Sequence, residues 1–309
     1  MVLNICRYLL CFWFGVVLIA SCKPYQEKEA EKKDSPVRGE ITISADESFR
    51  PIVKELVKVY ESNNAATKIH VEYKPEADCV KDLWNDSIRM IISTFQLSEK
   101  ERLAIVDSLH TVVRQLPVAR DAIAVIVNHA ASDSLFSMND LRLILTGKNP
   151  KGLFPVFDGV KATSTVRFAM DSVLKGWALT DKAMAARTSD SVIRFVAKNP
   201  KAVGFIGVSW IGNPEDRQQL SFLKTVKIAH LESNDMPGKY ILPVQATIYT
   251  KRYPMTRDLA YILKEGHNGL GSGFADFISG HLGQLIFRRA YLMPGRKSFR
   301  IRPIKLNEE

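Results

Sequence analysis

Apolar residues change their spacing repeatedly after residue 40, and the changes mark alternating strands and helices. Residues 41–45 read as a strand. In 51–62, Ile52, Leu56 and Val59 or Tyr60 recur at helical spacing, with Pro51 suited to the first turn. Residues 68–73 alternate apolar and polar positions, as a half-buried strand does. The runs 90–93 and 122–127 are short and rich in β-branched residues, the composition of strands buried on both faces. Further helices are predicted over 138–145, 166–174 and 191–197, and further strands over 202–208, 244–249 and 259–263. This alternation points to an α/β fold rather than a helix bundle or a β-barrel. No internal repeat interrupts it.

The pattern before residue 40 is different. Arg7 is followed by an uncharged apolar stretch over 8–20. It is shorter than the roughly 20 residues that a membrane span needs. It ends in Leu18-Ile19-Ala20-Ser21-Cys22, with small residues before a thiol. This resembles a bacterial lipobox, which implies a signal peptide over 1–21 and lipidation at Cys22. Residues 23–40 are polar, carry two prolines and offer little to a core, so 22–39 reads as a tether between membrane and folded body. The expected location is the cell envelope, lipid-anchored at a membrane and facing the periplasm.

Composition narrows the function classes. A chain of 309 residues exceeds what one core of about 250–300 residues usually holds, so two lobes are expected. The net charge is +10, but the basic residues are scattered and interleaved with acids. It reads as a mild bias towards anions, and no nucleic-acid partner is expected. Once Cys6 and Cys11 leave with the signal peptide and Cys22 carries lipid, Cys79 is the remaining thiol, expected to be structural and half-buried. His70, His110, His129, His230, His267 and His281 show no metal-ligand spacing, and no Gly-x-Ser-x-Gly elbow or Cys–His pairing appears. No catalytic residue, metal or cofactor is expected. Gly269-Leu270-Gly271-Ser272-Gly273-Phe274 lacks the context of a nucleotide loop and reads as a turn before a helix over 274–279.

Two stretches share one chemical logic. In Ser44-Ala45-Asp46-Glu47-Ser48-Phe49-Arg50-Pro51 a strand ends, hydroxyls and acids follow, and a helix begins. In Lys161-Ala162-Thr163-Ser164-Thr165-Val166-Arg167 a hydroxyl-rich turn runs into a helix. Helix N-termini present unpaired N–H groups and a positive dipole end, so each can hold an anion. Either could equally be a plain N-cap, since Ser, Thr and Asp are the preferred cap residues.

A series of motifs across about 40–300 resembles the phosphate-binding proteins of ABC transporters. The series runs through Asp121-Ala122-Ile123-Ala124-Val125-Ile126-Val127-Asn128, Leu143-Ile144-Leu145-Thr146-Gly147-Lys148 and Ser164-Thr165. It continues through Asn199-Pro200-Lys201-Ala202-Val203-Gly204-Phe205-Ile206-Gly207, Tyr253-Pro254-Met255-Thr256-Arg257, Gly283-Gln284-Leu285-Ile286 and Leu292-Met293-Pro294. The resemblance implies a periplasmic-binding-protein-like fold, with two α/β lobes and a ligand cleft between them. Lobe one would span 40–117 plus 242–303, and lobe two 118–241. It implies an oxyanion site from Ser48, the Phe49 backbone N–H, Thr94, Ser164 and Thr165, with Arg167 or Lys161 supplying positive charge. The sequence departs from the family at four places, the first being Lys74-Pro75-Glu76-Ala77-Asp78 where a serine- and glycine-rich turn is usual. Thr163-Ser164-Thr165 stands where a Ser-Gly-Thr loop is usual, and the arginine expected just before it is absent. Ser93-Thr94-Phe95-Gln96 lacks the usual acid or arginine, a role that Asp46 or Asp121 could take. The implied function is capture of phosphate or a similar small oxyanion for an inner-membrane transporter permease. The alternative is a repurposed scaffold acting as a sensor or structural partner of an envelope complex. An exported hydrolase ranks last.

Overall fold

The β-branched runs lie side by side in one sheet, and the periodic runs cover its faces, in a computed structural model that describes residues 34–159, 163–213 and 215–295. Strand β1 (Arg38–Asp46) connects through α1 (Arg50–Asn63) to a parallel β2 (Ala66–Lys74). Helix α1 buries Ile52, Val53, Leu56, Val57 and Tyr60, the face that its spacing predicted. After α2 (Glu76–Lys81), strand β3 (Ile88–Ser93) joins the other side of β1, also parallel. Helix α3 (Glu99–Leu109) begins on a capping box between Ser98 and Glu101.

The next strand, β4 (Val113–Asn128), is 16 residues long and serves both halves of the molecule. Chain order continues with α4 (Met138–Leu145), β5 (Phe154–Phe157), α5 (Ser164–Phe168), β6 (Met184–Ala185), α6 (Ser189–Lys198), β7 (Ala202–Gly207), β8 (Val226–Ile228), β9 (Thr256–Lys264), α7 (Leu270–Ser279), α8 (His281–Arg289) and β10 (Met293–Pro294). From Val113 to Ala122, β4 pairs antiparallel with β9. From Ile123 to Val127 it pairs antiparallel with β7. The full order is β2-β1-β3-β9-β4-β7-β5-β6, with β8 and β10 also on β4. The partner switch between Ala122 and Ile123 separates two lobes.

Apolar packing follows this division only in part. One cluster under α2 and α3 holds Cys79, Leu83, Ile91 and Ile105, and another between the second lobe and α6 holds Ile126, Val192, Val196 and Ile206. The largest cluster runs through both lobes, from Ile43, Phe49 and Leu56 to Phe157, Val166 and Phe205. Cys79 is fully buried rather than half-buried, and burial pushes its thiol well above the usual range.

Three local expectations change. The run 244–249 is not a strand but contains a short helix, Gln245–Tyr249. The Thr247 hydroxyl accepts from Val244 N at 3.1 Å and donates to the Leu242 carbonyl at 2.6 Å, so side-chain bonds start a helix in a β-branched run. Residues 76–81, where no helix was expected, form α2.

The third change concerns the glycine run, which is the first turn of α7 rather than a turn before it. A Cβ on Gly271 would lie 2.8 Å from Leu263, and one on Gly273 would lie 2.7 Å from Pro36, so the helix can pack there only without side chains. Its N–H groups are capped by carboxylates from elsewhere: Leu270 N donates to Asp34 at 2.6 Å and Ser272 N donates to Glu265 at 2.6 Å. Arg89 Nη1 bridges the same two acids at 2.7 and 2.8 Å, with His267 also against Asp34 at 3.1 Å. This group of Asp34, Glu265 and His267 is thus a helix cap built around a guanidinium. It also ties residues 34–39, expected to belong to the tether, into the folded body. The expected signal peptide over 1–21, the expected lipidation site Cys22 and most of the expected tether lie outside the described residues. Among the described residues no helix is long and apolar enough to cross a membrane.

Candidate functional site

Both hydroxyl-rich stretches end at the same place. Strand β1 runs into a single tight turn, Glu47–Phe49, where Asp46 Oδ1 accepts from Ser48 N at 3.1 Å. That cap fixes Ser48 with its hydroxyl directed at the other lobe. Across the cleft, Thr163 caps α5 by accepting from Val166 N at 3.3 Å, which leaves Ser164 and Thr165 free of the capping role. Ser48 Oγ lies 3.3 Å from Thr165 Oγ1 and accepts from Ser164 Oγ at 3.5 Å. All three residues are fully buried.

The positive charge at this point is Arg257 of β9. Its Nη1 donates to Ser164 Oγ at 2.8 Å and to Thr165 Oγ1 at 3.3 Å, and its Nε donates to Asp121 Oδ2 at 2.9 Å. Register explains the pairing, because Arg257 and Asp121 are direct cross-strand partners of β9 and β4. The ring of Phe49 supports the guanidinium, with Cζ 4.8 Å from the ring centroid. Trp210 Nε1 donates to the Ser48 carbonyl at 2.8 Å. Gly207 admits the close approach of these groups, since a Cβ there would sit 3.3 Å from the Ser48 carbonyl and 3.4 Å from Arg257 Nη2.

A second carboxylate enters from the end of β5. Asp158 Oδ2 accepts from Ser48 Oγ at 3.0 Å and from Ser189 Oγ at 2.9 Å. Four side-chain atoms here are buried without a hydrogen-bond partner among the described residues: Asp46 Oδ2, Asp158 Oδ1, Asp121 Oδ1 and Arg257 Nη2. Unpaired buried polar atoms are uncommon, and a group of them around one cleft is the mark of a site rather than of a core.

Arg167 and Thr94 form a neighbouring arrangement. Arg167 Nε donates to Glu76 Oε2 at 2.6 Å and Nη2 donates to Thr94 Oγ1 at 2.8 Å. Glu76 Oε1 in turn accepts from Thr94 N at 2.9 Å and Thr94 Oγ1 at 2.7 Å. Among the described residues the cation nearest the hydroxyls is therefore Arg257, and Arg167 is held by an acid of the other lobe. Thr94 joins that ion pair instead of completing the Ser48 ring. Lys161, the other cation considered, lies outside the described residues. Phe49 contributes its ring to the arrangement.

Electrostatics follow from burial. Asp46 is pushed up to about 7, chiefly by desolvation; Arg257 opposes the shift, and Glu76 and Asp158 add to it. Burial also raises Asp121 against the pull of Arg257. Desolvation works against the charge of Arg167, but its bond to Glu76 outweighs that and holds the group above its usual range. The site thus holds a buried aspartate–arginine pair, an aspartate whose carboxyl burial raises to about 7, and the carboxyl of Asp158. Such a site can bind a group that presents an acceptor to Arg257 and a proton to a carboxyl.

Sequence reasoning gave no role to Arg257, Asp158, Ser189 or Trp210. Arg257 stood inside one of the quoted motifs, and Asp121 was already a candidate, but nothing local reveals that they face each other. Asp158 had only the signal of following an apolar run, 154–157.

A family model described as a PBP superfamily domain matches residues 30–280. The structure is similar to a protein assigned as a phosphate ABC transporter substrate-binding protein from Clostridium perfringens, solved with bound phosphate. The two are 18% identical, the match covers 84% of this chain and 100% of that one, and the TM-score is 0.69. An ABC-type phosphate transport receptor from Vibrio cholerae is also 18% identical over 83% of this chain and 100% of its own, with a TM-score of 0.60. The Corynebacterium glutamicum OxyR C206 mutant, 11% identical, covers 92% of this chain and 75% of its own with a TM-score of 0.55. No curated protein matches the sequence. At these identities the likeness is one of fold, and the fold is periplasmic-binding-protein-like, with two α/β lobes about a cleft.

Proposed function

Because this chain belongs to the PBP superfamily, we propose that it is an extracytoplasmic solute-binding lipoprotein whose cleft takes a protonated oxyanion, phosphate first. The observation that carries the reading is the convergence on one buried point of Arg257, the hydroxyls of Ser164 and Thr165, and Asp46 with a carboxyl near 7. Arg257 Nη2 has no acceptor among the described residues and is placed to give a charge-assisted hydrogen bond. Asp46 can share the proton of a hydrogen oxyanion, a partner that sulfate lacks at neutral pH. In this reading Ser48 and Thr94 line the cleft from lobe one, and Arg167 closes over it from lobe two. The lobes divide within β4, whose stretch up to Ala122 pairs with β9 and whose stretch from Ile123 pairs with β7. The partner is an inner-membrane transporter permease, and no catalytic step is assigned.

Calorimetric titration of the purified protein with phosphate, sulfate and arsenate tests the ligand. Phosphate and arsenate should give heat and sulfate little. The Ser164→Ala/Thr165→Ala double variant should bind at least tenfold more weakly, since hydrogen bonds to a charged group contribute about 1.5–3 kcal/mol each. Loss of stability without loss of affinity would reduce both residues to helix caps.

Membrane attachment is part of the same proposal. Cys22→Ala should move the protein from the membrane fraction to the soluble periplasmic fraction. Retention in the membrane would mean that residues 8–20 act as an anchor themselves.

A second reading, a scaffold within an envelope complex, draws on the direct contacts between the lobes. Ser48 meets Asp158 and Arg167 meets Glu76 directly across the cleft. Absence of heat with all three oxyanions would favour it.

A further inference from the structure

We propose that residues 34–39 form a clasp, seated in a socket made by the glycine run 269–273, that fixes where the membrane-anchored chain leaves the folded body; the inference rests on the reading of Cys22 as the lipid anchor. Residues of α1, β3 and α7 hold the segment. Asp34 accepts from Arg89 Nη1 at 2.7 Å and from Leu270 N at 2.6 Å, and its Oδ1 lies 3.1 Å from His267 Nε2. Tyr60 Oη donates to the Pro36 carbonyl. Ser35 and Arg38 exchange backbone bonds at 2.9 and 3.1 Å, which folds the segment into a tight turn at the start of β1. That turn needs Gly39, whose φ of 128° is one that other residues rarely adopt and whose Cβ would meet Asp34 Cβ at 2.5 Å. A Cβ on Gly273 would lie 2.7 Å from Pro36, so the glycine run has the shape of its occupant. Burial works against the charge of Asp34, but Arg89, the Leu270 N–H and His267 outweigh it and hold the carboxyl down at about 2. The carboxylate is therefore ionised, and the clasp intact, throughout the physiological range.

Topology puts this clasp at the end of lobe one remote from the cleft. Strands β1 and β3 are parallel and start there, at Arg38 and beside Arg89, and they finish at the cleft, at Asp46 and Ser93. Strand β9 runs the opposite way and ends at Lys264, next to the Glu265 that shares Arg89. The 9 residues of β1 separate clasp from cleft by roughly 25–30 Å, at about 3.3 Å per residue. From Cys22 to Asp34 the covalent chain can reach on the order of 40 Å at most. A lipid on Cys22 would thus keep the clasped pole of lobe one close to the membrane, with the cleft and lobe two farther out. An exit point free to peel back along β1 would let the body turn over.

Limited trypsin digestion of the full membrane-bound protein, read by the mass of the released body, tests the clasp. Lys28, Lys32 and Lys33 precede it and Arg38 lies within it. Wild type should be cut before residue 34 and resist cutting after Arg38, whereas Asp34→Ala should be cut after Arg38 at least tenfold faster. The variant leaves Arg89 its bond to Glu265 at 2.8 Å, so the guanidinium is not stranded. Equal rates of cutting after Arg38 in wild type and variant overturn the inference. Should thermal melting show that Asp34→Ala does not fold, Tyr60→Phe removes only the bond to Pro36 and is judged by the same outcomes. Orientation is read by energy transfer to acceptor-labelled lipids from a donor dye on Val112→Cys or on Ala178→Cys. Val112 is exposed and its carbonyl accepts from Glu265 N at 3.0 Å, beside the clasp, and Ala178 is exposed in lobe two. Transfer should be stronger from 112, and the difference should shrink when Asp34→Ala is added; equal transfer from both sites in the clasped protein overturns the fixed exit. If the protein is absent from the membrane fraction, the lipid-anchor reading falls, and digestion of the soluble protein still decides the clasp.

Discussion

Arg257→Met will destabilise the protein by about 3–5 kcal/mol and abolish oxyanion binding. The stability cost comes from the partner left behind. Asp121 is fully buried, its Oδ2 accepts from Arg257 Nε at 2.9 Å, and its Oδ1 has no hydrogen-bond partner among the described residues. Removing one member of a buried pair strands the other charge, which is the expensive case. Replacing both members with apolar residues of similar volume is often near neutral. The double variant Asp121→Leu/Arg257→Met should accordingly recover most of the lost stability in urea unfolding. It should not recover binding, because the donors to Ser164 and Thr165 and the Nη2 group are still gone. A loss of at least a hundredfold is expected, equal to about 2.7 kcal/mol, or two charge-assisted hydrogen bonds at the lower end of their range. If Arg257→Met retains wild-type affinity, the ligand's cation is Arg167, and the Glu76 pair must open to release it.

The fold was largely legible because its signals are local. The apolar face of α1, the β-branched run 122–127 and the alternation in 68–73 each require only a neighbour of the right period to be satisfied. The failures occurred where a distant partner decides. The run 244–249 has strand-like composition, but the Thr247 hydroxyl and the packing of Ile248 make it helical. The glycines at 269–273 accept a helix because Leu263 and Tyr60 lie too close for any other residue. The site was half legible on the same grounds. Ser48, Ser164 and Thr165 announced themselves as hydroxyls opening helices, whereas Arg257 lies 92 residues from Thr165 along the chain and reaches it through antiparallel register. Arg167 was the nearest cation in sequence, and its true partner, Glu76, is 91 residues away. A single chain gives period and capping; it does not give register between strands more than a hundred residues apart.

Asp46→Asn will flatten the pH dependence of stability between about pH 4 and 7. Burial raises this carboxyl from 3.8 to about 7 in the folded protein. A raised folded value means that folding favours the protonated form, so the stabilisation is complete below about 3.8 and is lost as pH rises through about 7. Across that window the wild type loses roughly 1.4 kcal/mol per pH unit from this group. The asparagine variant has no proton to lose, and its amide oxygen can still accept from Ser48 N. Urea midpoints measured from pH 4 to 8 should therefore diverge, with the variant gaining on the wild type by on the order of 4 kcal/mol in total. Above about pH 7 the gap should stay constant. Parallel curves would mean that Arg257 keeps the carboxyl ionised throughout, against the desolvation that surrounds it. The same proton acts on ligand binding. Below about 7 the Asp46 carboxyl can itself donate to an oxyanion, and above it the ionised group can only accept a proton that the ligand brings. Phosphate affinity of the wild type should fall as pH rises through 7, and the variant should keep only the dependence that belongs to phosphate itself.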